Sequence, residues 1–141
     1  FSRWLIRILV LFLTGFIQGQ ALKELYSNAY IYVLPSDLEG MPMSLLEAMS
    51  YGNCCLTSDI PECAEVVEGH AATFQHGSVE SLREKLQELL ENDDLVQRYK
   101  ANAADYIVSK YSWDDVTDQT LNLYGGRVSM RILLVNKIFL S

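Results

Sequence analysis

Apolar runs of strand length alternate along the first half of the chain with segments of helical spacing. The runs stand at 8–13, 29–34, 53–57 and 71–74. The second of them, AYIYVL, is continuous rather than alternating, which predicts a strand covered on both faces. Between the runs, 21–28 reads as a short helix with Leu22 and Leu25 inward. Residues 43–51 read as a helix closed by Gly52, where a left-handed cap is common. Pro61 suits the first turn of a further helix through Val67. From Ser78 onward only helices are predicted. Residues 78–90 place Val79, Leu82, Leu86, Leu89 and Leu90 on one stripe, and 93–110 and 113–124 follow. Strands alternating with helices predict an α/β fold, a parallel sheet with right-handed crossovers, under a lid of three closing helices.

Length and charge narrow the class. The chain has 141 residues, room for one domain, and half of it is apolar, enough for a core. A net charge of −7 argues against a nucleic-acid partner, because phosphate binding needs clustered Lys and Arg. Cys54, Cys55 and Cys63 make no CxxC pair and are expected as reduced, structural thiols in a cytosolic setting. His70 and His76 have no Cys or carboxylate at ligand spacing, so no metal site is expected there.

The two ends carry separate expectations. A spanning helix needs about 20 apolar residues, and the run from Trp4 to Ile17 is shorter and interrupted by Arg7. A buried strand over 8–13 with a turn at Gly15 is expected instead, although a basic start before a short apolar region also marks a signal peptide. At the other end, 125–129 reads as a linker and 130–137 as a new strand opening with no helix to complete a crossover.

The candidate chemistry lies after the second strand. Open parallel sheets bind ligands at the carboxyl ends of their strands, and here that loop carries Ser36, Asp37, Glu39 and Gly40 before a helix start at 42–45. Free N–H groups and the positive dipole end of a first helical turn suit phosphate. Pro42 costs that start no helical bond, and Gly40 offers either positive φ or close backbone approach. Glu47, set among Leu45, Leu46, Ala48 and Met49, is expected partly buried, and no Lys or Arg lies between Lys23 and Arg83 to pair with it. A sugar diol could supply hydroxyl donors to its two oxygens. Equally, Glu39 could be a solvated loop residue and Glu47 an exposed helix residue; the residues by themselves leave both readings open.

Glu39 and Glu47, with Leu-Pro-Ser-Asp before them and Ala-Met-Ser-Tyr-Gly after, form a pattern that resembles the Glu-x7-Glu motif of retaining glycosyltransferase family 4, the glycosyl transferases group 1. The resemblance runs from about Gly15 to Tyr124, through Ser58-Asp-Ile-Pro-Glu62 and on to Tyr111-Ser-Trp113. It implies a GT-B architecture of two Rossmann-like domains. Residues 1–124 would be the later part of the nucleotide-sugar-binding, C-terminal domain, and 125–141 a linker and extra strand-like tail. It implies a catalytic role for Glu39 at the donor sugar and a hold on the nucleotide ribose by Glu47. Gly40, Met41, Pro42, Met43 and Ser44 would lie along the sugar and diphosphate. A nucleotide sugar would be the donor, with neither cofactor nor metal, and a glycan or lipid-linked molecule the acceptor, met through an N-terminal domain.

The pattern also departs from the family. No Gly-Arg-Leu-like strand end with a following Lys, the basic pair that meets the diphosphate, stands before Glu39. The expectation is therefore a piece of a longer hexosyltransferase, at work in the cytoplasm, at the inner face of the membrane and in peripheral contact with it, with the piece inactive by itself. Two alternatives remain: a non-catalytic half-domain that at most binds nucleotide, and a small membrane-anchored interaction module.

Overall fold

A computed structural model of the chain describes residues 12–124. Along it run α1 (Gln20–Asn28), β1 (Ile31–Leu34), α2 (Met43–Ser50), β2 (Cys54–Ser58), α3 (Pro61–Val67), β3 (Ala72–Phe74), α4 (Val79–Glu91), α5 (Asp93–Lys110) and α6 (Trp113–Tyr124). The strands form one parallel sheet in the order β1-β2-β3, with Leu34 opposite Thr57 and Ser58 opposite Phe74. The architecture is α/β and Rossmann-like, as the alternation of runs predicts.

The middle strand organises the core. All five residues of β2 are buried, and successive side chains take opposite faces because the pleat has a period of two. Cys55 joins a cluster with Tyr26 of α1, Leu45 and Met49 of α2, Cys63 of α3 and Ile107 of α5. Cys54 and Leu56 join the opposite cluster with Phe74, Leu89 of α4 and Val96 of α5. At 18 residues α5 is long enough to serve both. All three cysteines are free and buried, and burial pushes their thiols up, Cys54 to about 11.

Local signals set the boundaries. Pro61 opens α3. The Ser78 hydroxyl accepts from the Ser81 N–H at 3.1 Å and the Asn92 side chain from the Leu95 N–H at 3.1 Å, which caps α4 and α5. Gly52, after α2, has φ 71°, the left-handed cap its position predicts.

Two expectations about faces are corrected. Leu25 is 52% exposed, because the adjacent Tyr26 takes the inward face of the short α1 and Leu25 lies about 100° round the helix. In α4 the inward stripe is Leu82, Leu86 and Leu89. Val79, at the first helical position, is 82% exposed, and Leu90 is turned out beside Leu89. Of the strand expected over 8–13, residues 8–11 lie outside the described residues, while Phe12 and Leu13 are exposed and not in a strand. The strand expected over 130–137 also lies outside them, as does the linker at 125–129.

Candidate functional site

The loop from Pro35 to Pro42 joins the carboxyl end of β1 to the start of α2. It shares its edge of the sheet with the turns that follow β2 and β3. There the Asp59 N–H bonds to the Phe74 carbonyl at 3.0 Å, and the His76 N–H to Asp59 Oδ1 at 2.7 Å. His76 Nε2 lies 3.1 Å from Asp37 Oδ1, so the third turn reaches back to the first. A crevice of about 160 Å³ opens between them, lined by Pro35, Asp37, Ser58, Phe74, Gly77 and Ser78, with Val79 and Leu82.

Glu39 is half-buried in this loop, and the Ser36 hydroxyl donates to its Oε1. Gly40 does not have a positive φ, which removes one of its two expected uses. A Cβ there would meet nothing within 4 Å, so its space is open. Pro42 is the buried N-cap, and its carbonyl takes the N–H groups of Leu45 at 3.0 Å and Leu46 at 3.1 Å. The Met43 N–H turns back to the Met41 carbonyl at 2.8 Å. The remaining first-turn donor is that of Ser44. Met41 and Met43 are exposed on either side of this start.

Glu47 is exposed rather than partly buried, a second correction at this site. The helix turns Leu45, Ala48 and Met49 to the core, and a 3.6-residue period then carries position 47 away from it. Its carboxylate still meets a buried group, since Tyr26 Oη lies 3.5 Å from Glu47 Oε2 and 3.5 Å from the Ser44 carbonyl. No ion pair to Glu39 or Glu47 occurs among the described residues. Glu47 also borders a mostly apolar groove of about 420 Å³ between α2 and α5, lined by Met41, Met43, Leu46, Ile107, Val108 and Tyr111, with Ser50 and Ser112.

Sequence reasoning missed Tyr26, Tyr32, Asp59 and His76. Asp37 and Ser36 carried a signal by standing in the same loop as Glu39, and Asp59 by lying in the stretch 58–62 that resembles the family. The partners reach the loop from other elements, at separations no local pattern encodes. Among the described residues no three His, Cys, Asp or Glu side chains gather to hold a metal ion. No described helix is long and apolar enough to cross a membrane.

The family model described as "Glycosyl transferases group 1" matches residues 10–106. The chain is 31% identical over 111 residues to the O-antigen chain mannosyltransferase B of Escherichia coli, which covers 78% of this chain and 29% of that protein. It is 33% identical over 103 residues to the N,N'-diacetylbacillosaminyl-diphospho-undecaprenol alpha-1,3-N-acetylgalactosaminyltransferase of Campylobacter jejuni, covering 72% of this chain and 27% of that one. The chain thus spans less than a third of the length of these curated relatives. Its fold is that of the crystal structure of TarM, with a TM-score of 0.69 at 22% identity, over 75% of this chain and 22% of that one.

Proposed function

We propose that this chain, which belongs to the glycosyl transferases group 1 family, is the donor-binding part of a GT-B glycosyltransferase that moves a sugar from a nucleotide sugar to a glycan or lipid-linked acceptor with retention. One observation carries the reading. Glu39 and Glu47, the two carboxylates of the family motif, flank an uncapped helix start at the carboxyl edge of a parallel sheet. A diphosphate bears its charge where the first turn of α2 offers the Ser44 N–H and the positive end of the helix dipole. Close approach of a sugar or phosphate to the backbone needs open space, and Gly40 has it.

The remaining assignments follow from this placement. Glu39, steadied by Ser36, is the catalytic residue at the donor sugar. Glu47 takes the hydroxyls of the nucleotide ribose, and Gly40, Met41, Pro42, Met43 and Ser44 lie along the sugar and diphosphate. No cofactor is assigned and no metal is needed in this reading. The relatives named for mannosyl transfer and for an undecaprenol-linked acceptor favour a hexose-type donor and a membrane-bound or glycan acceptor. In this reading the working protein acts in the cytoplasm, in peripheral contact with the inner face of a membrane.

The test is a calorimetric titration of UDP, GDP and ADP, and of their hexose conjugates, against the chain and its Glu47→Gln and Glu47→Ala variants. Losing a hydrogen bond to a charged group costs roughly 1.5–3 kcal/mol, or about ten- to a hundredfold in affinity. That loss is expected in both variants. Unchanged affinity in both would return Glu47 to an ordinary exposed helix residue.

A further inference from the structure

We propose that Tyr26 is a positioning residue for the nucleotide, its hydroxyl reaching from α1 to hold the Glu47 carboxylate in the orientation that takes the ribose. The inference rests on the ribose-binding reading of Glu47 given above.

The argument begins with a mismatch between the two side chains. Glu47 is exposed and has no cationic partner among the described residues. Left to itself, such a side chain samples several rotamers, and ordering it on binding costs free energy. Tyr26 is the opposite case. It is 8% exposed. Its ring stacks on Tyr51, with centroids 5.5 Å apart and planes at 26°, and tilts against Tyr32 at 5.8 Å. Its own carbonyl accepts from the Asn53 side chain at 2.9 Å. The phenol is a buried donor facing an exposed acceptor.

The hydroxyl stands equally far from two acceptors, 3.5 Å from the Ser44 carbonyl and 3.5 Å from Glu47 Oε2. One O–H cannot serve both fully. Long catalytic-site bonds of this kind often tighten only when the ligand is in place. Contact through Oε2 leaves Oε1 and the remaining lone pairs of the carboxylate for ligand hydroxyls. Burial, then the neighbouring Tyr32 and Glu47, push the Tyr26 hydroxyl up to about 12, so it stays a protonated donor at neutral pH. The ring packs on Tyr51 and Tyr32, while the hydroxyl reaches Ser44 and Glu47. Its place over the first turn of α2 ties α1 to the residue that the motif supplies.

The test compares the nucleoside diphosphate that the chain prefers among UDP, GDP and ADP with its 2′,3′-dideoxy analogue. The affinity ratio of the two isolates what the ribose hydroxyls contribute. Glu47→Ala should collapse that ratio toward one. Tyr26→Phe keeps the ring and should lower the ratio by about three- to tenfold while leaving the dideoxy affinity in place. Tyr51→Phe, which removes a hydroxyl on the stacked neighbour, should not change it. If Glu47→Ala leaves the ratio intact, the ribose reading fails and the inference falls with it. If Glu47→Ala collapses the ratio but Tyr26→Phe weakens both ligands equally, Tyr26 only packs, and the inference alone is overturned. Should Tyr26→Phe not fold, 3-fluorotyrosine placed at position 26 supplies a second readout. Its fluorine resonance should move on Glu47→Gln and on nucleoside diphosphate addition, and an unmoved resonance in both cases overturns the proposal.

Discussion

The side-chain amide of Asn53 donates to two carbonyls at once, that of Tyr26 at 2.9 Å and that of Ala48 at 3.0 Å. One buried group thereby fastens α1 and the last turn of α2 to the head of β2, and it fixes the spacing between Tyr26 and the helix that bears Glu47.

Asn53→Ala should therefore destabilise the chain by about 1–3 kcal/mol, because it strips donors from buried acceptors. Urea unfolding followed by circular dichroism measures this. A shift in midpoint smaller than the error would mean that water replaces the amide.

Gly52→Ala should cost about 1–2 kcal/mol, the penalty of a side chain in left-handed backbone. Steric conflict adds little, since an added Cβ would meet the Lys100 carbonyl at an ordinary 3.7 Å. Gly40→Ala, at a glycine without positive φ and with open space, should leave stability unchanged. If Gly40→Ala weakens nucleoside diphosphate binding at the same time, the loss reflects approach of the ligand to the backbone.

Stability should fall as the solution becomes strongly alkaline. The folded chain keeps the Cys54 thiol protonated to about 11, against 9.0 for an ordinary thiol, and the Tyr26 hydroxyl to about 12, against 10.0. Where the unfolded chain has lost a proton that the folded one retains, raising the pH favours unfolding. The contribution of each group is complete below its ordinary value and is lost as pH climbs through the folded one. Urea midpoints should thus hold steady to about pH 9 and decline from there toward about pH 12. A Cys54→Ala variant should show less of the early decline. At neutral pH the three buried thiols should react with a disulfide reagent only in denaturant.

The 141 residues by themselves should show no glycosyl transfer. A helix end contributes roughly 0.3–2 kcal/mol to an anion, whereas enzymes typically lower barriers by about 8–23 kcal/mol. Positioning two substrates accounts for about 7–11 kcal/mol of such effects, and in the function proposed above the described residues hold the donor alone. Radiolabelled nucleotide sugars incubated with the chain and a panel of glycan and lipid-diphosphate acceptors provide the measurement. Multiple turnovers by the chain alone would contradict this expectation. In a protein that carries both domains, transfer should be present and Glu39→Ala should abolish it.

Much of this protein is written in local pattern. Runs such as AYIYVL, with Pro61 at a helix start, Gly52 at a helix end and Ser78 at a cap, determine where strands and helices begin and stop, because backbone preference and hydrogen-bond capping act within a few residues. The Glu39–Glu47 spacing is likewise visible in the chain, since both carboxylates belong to one loop and one helix. Which face each helix buries was decided by the tertiary structure. Tyr26 displaced Leu25 from the inward side of α1, and position 47 turned outward, because the side chain that meets a neighbour depends on where the neighbour packs. The same holds for the partners of the site. Tyr26 reaches Glu47 across 21 residues and His76 reaches Asp37 from the end of another strand, contacts that exist only once a parallel sheet has brought its carboxyl ends to one edge.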